Sequence, residues 1–439
     1  MAAWAGSPAS VAICMALILV FNCWWSLTRS PSRPADVATA NSNHSAAVPV
    51  VKLDIPSTES GHIDGSKTKS STAYCDLSGG EWVPDSSPLL YTNNTCKHIH
   101  HAQNCLQNGR PDIGYLHWKW RPFDCELPQF DAARFLERMR GKKLAFIGDS
   151  LARNQMQSLH CTLAQVEESI LVYSDPDDYM RENRCLFPSY NFTLAIFGSR
   201  FLVKSSKPDE SGISKIYLDV PDMLWKRQLA EYDVVVVSAG YWYFTDTLYY
   251  IDNTLWGESK GLGLNVTTVE IWLAMAIALA NVLKYMMTEY KGIVVLRTMT
   301  VDHFENGTWS TGGACKRMSP YSRQENGGIH PMYLWINRKI NEVQIEEFEK
   351  AKMAYAEHDT CSRLKLLDIT YSAFLRPDGH PGPYRKVEPG EPVYDCLHWC
   401  LPGPIDMWNQ LLLHALQPII MSNNESAARK ESECTQKGH

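Results

Sequence analysis

This sequence has no strongly basic block, and its share of charged residues is ordinary for a globular protein. Asp, Glu, Lys and Arg make up 21% of it, and the net charge is −6. Nucleic acid is therefore not an expected partner, because gripping phosphates takes clustered Lys and Arg. No G-x-G-x-x-G or P-loop pattern occurs, so neither glycine-rich phosphate cradle is expected. No internal repeat is visible.

Long hydrophobic runs are also scarce. One stretch, "VAICMALILVFNCWWSL" at Val11–Leu27, carries no charge, and no other stretch reads as membrane-spanning. At ~1.5 Å per residue it reaches roughly 25 Å, a little under the bilayer core. Arg29 and Arg33 follow it, and no basic residue precedes it. That asymmetry argues against a cytosolic N-terminus by the positive-inside rule. The expected arrangement is a short tail (1–10) and a single anchor (11–27) with the remainder lumenal. A cleaved signal peptide is the competing reading.

Cysteine, by contrast, is plentiful. The chain has 13 cysteines, with N-x-S/T sequons at Asn43, Asn93, Asn191, Asn265, Asn306 and Asn424. Both features belong to the secretory lumen, where disulfides persist and sequons are used. Residues 28–73 are rich in Ser, Thr, Ala, Pro and Asn and read as a flexible stem. Residues 74–128 are dense in Cys, Trp, Gly and Pro, which predicts short strands and turns held by disulfides.

Residues 129–418 alternate between buried strands and helices. Strands are predicted at Leu144–Ile147, at Asp233–Ser238, in "KGIVVLRTMT" and in "LKLLDIT". Between them, Leu151, Met156, Leu159 and Leu163 share a helix face, and two long helices occupy "TVEIWLAMAIALANVLKYMMTEY" and Ile336–Glu357. The expected class is α/β, one doubly wound parallel sheet with helices on both faces. Residues 419–439 read as a flexible tail.

In such sheets, sites form beyond the carboxyl ends of the strands. "FIGDSLARN" stands there. Gly148 permits a tight turn, Asp149 can bond turn amides, and Ser150 sits where unpaired helix amides can stabilise an oxyanion. The plainer reading makes Ser150 an N-cap. A nucleophilic serine needs a base, and the base needs an orienting group. "YDCLHWCLPGPIDMW" supplies both, with Asp395 three residues before His398. In the plainer reading His398 is a packed ring and Asp395 a cap. Cys396 and Cys400 flank the histidine too closely for good tetrahedral zinc geometry, and no second C-x-x-C pair exists. They are expected to be disulfides that fix the acid–base pair. In "TCKHIHHAQNC", His98, His100 and His101 are expected to be exposed, with no metal there.

The motifs "YCDLSGGEWVPD", "GKKLAFIGDSLARNQMQSL", "LRTMTVDHFENGTW", "RPDGHPGPY" and "DCLHWCLPGPIDMWN" together resemble the plant trichome-birefringence-like family of polysaccharide O-acetyltransferases. The likeness runs from about Tyr74 to Pro418. It implies a fold related to the GDSL/SGNH esterases, with the Cys-rich segment packed on it. It implies Ser150 as nucleophile, His398 as base and Asp395 as orienting acid. It also implies four disulfides, Cys75–Cys125, Cys96–Cys161, Cys105–Cys400 and Cys315–Cys396, with Cys185, Cys361 and Cys434 unassigned. Golgi residence and a hemicellulose acceptor follow from the same likeness, xyloglucan or mannan before xylan.

No bound cofactor is expected. An acetyl donor is required, either acetyl-CoA or another carrier. General SGNH enzymes carry a G-x-N-D asparagine, but here "SAGYWYF" puts Trp242 in that place. Oxyanion donors must then come from the Ser150 and Gly240 amides or from Arg153 and Asn154. Trp118, Trp120, Tyr241, Trp242, Tyr243, Trp309, Trp399 and Trp408 are candidates to stack on sugar faces, against a plainer core role. Tyr241, Trp242, Trp309 and Trp399 are the preferred four. Arg297 and His303 are candidates to line the site. Asn93, Asn191, Asn265 and Asn306 are the expected glycosylation positions.

Overall fold

Seven strands make the main sheet of the computed structural model. In chain order they are β1 (Lys143–Gly148), β2 (Ile170–Ser174), β3 (Glu182–Phe187), β4 (Phe192–Gly198), β5 (Val234–Ser238), β6 (Ile293–Arg297) and β7 (Leu364–Leu367). In space the order is β7-β6-β5-β1-β4-β3-β2. The central strand β1 runs parallel to β4 on one side and to β5 on the other. β6 and β7 continue the parallel run. β3 and β2 close the far edge antiparallel. The four expected strands are all parallel members, and β1 is the point where the chain switches direction across the sheet.

The structure describes residues 76–420, apart from 177, 179–180, 260–261, 323–324, 326–330, 356–362 and 387–393. The expected tail, anchor and stem (1–73), the residues beyond 420, Asn43, Asn424, Cys75, Cys361 and Cys434 lie outside the described residues.

Alternation along β1 explains the two layers. Leu144 and Phe146 join one core with helix α1 (Ser150–Leu163) and helix α4 (Asp406–Ile420), through Leu159, Trp408 and Leu412. Ala145 and Ile147 join the other, with helix α2 (Ile271–Glu289) and helix α3 (Pro331–Ala354), through Val282, Leu283, Ile340 and Phe348. Successive strand side chains point to opposite faces, so a strand apolar at every position must be covered twice. By length and composition α2 could cross a membrane. In this fold its Ala274, Ala278, Val282 and Met286 stripe is buried in the second core. A smaller four-stranded sheet, absent from the sequence reading, packs on that same side through Ile216, Leu218 and Tyr249.

The Cys-rich segment forms the expected short strands, an antiparallel pair of Gly80–Pro84 with Trp118–Pro122. It is tied to the rest of the domain. Trp82 Nε1 donates to the Ser372 carbonyl at 2.8 Å, and Tyr91 Oη donates to Asp406 Oδ1 at 2.7 Å. Disulfides Cys96–Cys161 and Cys105–Cys400 add two covalent ties. Cys125 is also disulfide-bonded.

Candidate active site

Ser150 is placed by what precedes it. At Gly148 a side chain would put its Cβ 1.8 Å from the Ser238 carbonyl oxygen on β5, so only glycine lets β1 and β5 close up here. Asp149 Oδ1 then accepts the Leu151 N–H at 3.0 Å and caps α1. The capping role that the plainer reading gave Ser150 thus belongs to Asp149. Ser150 is the first helical residue, and its N–H falls in the turn that has no intrahelical partner. Burial raises the Asp149 carboxyl, with Arg297 and His398 opposing.

His398 reaches Ser150 from the far end of the chain. Its Nε2 lies 2.7 Å from Ser150 Oγ, and its Nδ1 lies 2.8 Å from Asp395 Oδ2. Asp395 Oδ1 accepts the N–H groups of Leu397 and His398 at 3.1 and 2.9 Å. Asp395 is fully buried, and burial alone would raise its carboxyl. The adjacent His398 charge, the His398 hydrogen bonds and the Arg385 charge outweigh that and hold it well below the usual carboxylate range. A carboxylate only accepts, so it fixes the proton on Nδ1 and leaves Nε2 to accept from the Ser150 hydroxyl.

The loop carrying this pair is held from several sides. Cys396 is bonded to Cys315 and Cys400 to Cys105, so both sulfurs flanking His398 are in disulfides. Asn154 was expected among oxyanion donors, but it is a clamp. Its Nδ2 donates to the Trp399 carbonyl at 3.2 Å and its Oδ1 accepts the Trp399 N–H at 2.8 Å. Trp399, expected to stack on sugar, is 0% exposed and lies in the core. Trp120, Tyr243 and Trp408 are likewise buried. Arg297 and His303 do not line a cleft. Arg297 is buried and donates to Ser238 Oγ at 2.6 Å, and burial pulls it down to about 10. His303 is buried beneath the His398 loop.

The remaining candidates are partly open. The Trp309 ring lies 5.9 Å from the His398 ring, edge to face, with Arg385 5.0 Å from its centroid. Trp242 and Tyr241 are half-buried in the 3-10 turn that follows β5, and Arg200 covers Trp242 at 4.2 Å. Gly240 precedes that turn, one strand from Ser150. Trp118 is half-buried on the N-terminal strand pair.

Arg385 was missed by the sequence reading, and His100 was misread. Arg385 Nε stands 3.7 Å from Asp395 Oδ2. His100 is half-buried, not exposed as expected. Burial, His101 and Arg153 pull its basicity down to about 4, and His398 contributes to the same effect. Only its closeness in sequence to Cys105 hinted at this position. His98 is half-buried as well, 2.6 Å from Glu168 and stacked on His160.

Comparison with known proteins fits this geometry. Residues 127–415 match a GDSL/SGNH-like acyl-esterase family found in Pmr5 and Cas1p. The chain belongs to this family. Residues 73–126 match the PMR5 N terminal domain, which precedes the acyl-esterase region here. "Protein trichome birefringence-like 25" of Arabidopsis thaliana is 41% identical, covering 81% of this chain and 78% of the relative. "Xyloglucan O-acetyltransferase 4" of Populus trichocarpa is 40% identical, covering 78% and 81%. "Xyloglucan O-acetyltransferase 1" of Arabidopsis thaliana is 38% identical, covering 78% and 80%. Within the acyl-esterase family, the likeness to trichome-birefringence-like proteins read from the motifs therefore holds.

Proposed function

We propose that this chain is a polysaccharide O-acetyltransferase that moves an acetyl group through Ser150 to a sugar hydroxyl of hemicellulose, xyloglucan first. The observation that carries the chemistry is the single His398 ring standing between Ser150 Oγ and Asp395. The two relatives named for xyloglucan O-acetyl transfer favour transfer over hydrolysis.

In this reading His398 Nε2 takes the Ser150 proton while Oγ attacks the acetyl carbonyl of the donor. The oxyanion meets the free N–H at the start of α1, with Arg153 and the Gly240 amide as further donors. The donor group leaves with the proton from His398, and acetyl-Ser150 remains. His398 then takes the proton of the sugar hydroxyl as its oxygen attacks. The ester passes to the glycan, and the proton returns to Ser150. Trp309, Trp242 and Tyr241 are half-buried rings that would meet a sugar, with Arg385 over one face of Trp309 and Arg200 over one face of Trp242. Acetyl-CoA or another acetyl carrier supplies the group. Three disulfides and the exposed positions of Asn191, Asn265 and Asn306, with half-buried Asn93, support a lumenal setting. Golgi residence and an N-terminal anchor rest on the family resemblance and the apolar run 11–27.

The test supplies an acetyl donor to the full chain with and without deacetylated xyloglucan, mannan and xylan oligosaccharides. Acetylated xyloglucan fragments are expected. Free acetate whose rate ignores the acceptor would instead indicate an esterase.

A further inference from the structure

Two buried histidines beneath the His398 loop make more hydrogen bonds than neutral rings can supply. His380 Nδ1 lies 2.7 Å from the His398 carbonyl oxygen, and His303 Nε2 lies 2.8 Å from the Phe374 carbonyl oxygen. Between the rings, His303 Nδ1 lies 2.7 Å from His380 Nε2. A carbonyl oxygen only accepts, so each outer contact needs a proton on the ring nitrogen. The central contact needs one more. Two neutral imidazoles hold one ring proton each. Three contacts therefore require three protons, which is one positive charge.

We propose that His303 and His380 share this third ring proton in the folded protein, and that the charged pair positions His398 for the transfer proposed above. Without it, two lone pairs would face each other across one of these contacts, and the His398 carbonyl would have to shift. His380 and His303 are thus positioning residues, acting through the backbone of the base.

The surroundings set the balance. Burial pulls both rings toward neutrality, His303 to about 4 and His380 well below its ordinary value, and the His303 and His398 charges also oppose a proton on His380. The Phe374 and His398 carbonyls, with the Asp378 and Asp395 carboxylates, favour the charged form. Arg376 pairs with Asp378, Arg110 donates to the His380 and Asp378 carbonyls, and Arg385 stands beside Asp395. Tyr321 and Trp399 enclose the pair without adding a carboxylate. The hydrogen bonds decide in favour of charge, because each one left unmade strands a buried polar group. The shared proton is gained on folding only above about pH 6.5, where unfolded histidines are neutral, and that contribution is lost as pH rises through the pair's own titration. Below about 6.5 the unfolded state, with both rings charged, binds the extra proton and folding loses stability.

The experiment reads the protons directly. Nitrogen NMR of the full chain labelled at histidine, with His303→Asn used for assignment, should show three protonated ring nitrogens on this pair near neutral pH. Two single-tautomer neutral rings across pH 5–8 would overturn the proposal. In the variant, Asn Nδ2 can replace His303 Nδ1 as a donor that does not titrate. Its transfer rate should stay within ~5-fold at the optimum while the alkaline decline of the wild type disappears. Matching pH profiles in the two proteins would also overturn it. If that variant does not fold, His380→Asn serves for the assignment and the wild-type spectrum decides. Three protons in a chain that transfers no acetyl group would uphold the charged pair and overturn the function proposed above.

Discussion

At the scale of single residues, the arrangement makes sharp demands. Ser150→Ala and His398→Ala should each cut kcat by at least ~10³-fold, with little further loss in the double variant, because the two act as one unit. Asp395→Asn should cost roughly 10³–10⁴-fold, since an amide no longer fixes the proton on Nδ1. Initial rates with a fixed acceptor check all three. Asp395 is held below its usual range, so it stays a carboxylate through mildly acid pH. Any rate lost between pH 4 and 7 therefore comes from another group, and the wild-type pH profile should show no step that Asp395→Asn removes. Trp309→Ala should raise the acceptor KM more than it lowers kcat, by roughly 0.5–1.5 kcal/mol of stacking. Ser150, Asp395 and His398 were legible because each sits in a short run whose chemistry demands the others. Asn154 and Trp399 were misread for one reason. An amide and an indole look alike in sequence whether they face a cleft or each other's backbone, and only packing separates the two.

At the scale of elements, the loop from Asp395 to Cys400 owes its position to its neighbours. Asn154→Ala would strand both backbone groups of Trp399 in the core, at a cost of about 2–4 kcal/mol. Replacing Cys105 and Cys400 by Ala should cost about 2–5 kcal/mol and lower kcat as the loop loosens. Denaturant unfolding of the full chain checks both. β1, β5 and β6 were readable because strands buried on both faces are apolar along nearly their whole length, and β7 because three leucines surround its single lysine. β2 was not, because its apolar residues mark no core: Ile170 and Leu171 are 55% and 58% exposed. β3 mixes Glu, Asn and Arg with its apolar positions and carries no clear period. The pairing of cysteines was implied by family likeness, not by spacing, because loop closure leaves no local trace in the chain.

At the scale of the whole molecule, one carboxyl links three regions. Asp406 opens α4 and accepts from Tyr91 of the N-terminal segment, from Ser158 on α1 at 2.5 Å and from the Gly403 N–H. Burial pushes it up to about 6. A raised carboxyl favours the folded state while protonated, so its contribution is full below about pH 4 and fades as pH rises through about 6. The loss is on the order of 3 kcal/mol. Stability of Asp406→Asn relative to wild type should therefore improve over that window, as followed by unfolding midpoints. Asp395 has the opposite sign. Its contribution is present above about pH 4 and is lost below it.

The bond between Cys105 and Cys400 spans 295 positions. During synthesis Ser150 leaves the ribosome long before the imidazole that would activate it. A nascent chain therefore holds a hydroxyl with no base and an early thiol with no mate. Both arrive only with the segment that carries His398, 248 positions after the serine, so competence comes late in synthesis. Truncated products should carry an inert serine, and a pulse of newly made protein should acquire reactivity toward a serine-directed acylating probe at the same moment that Cys105 becomes protected from alkylation.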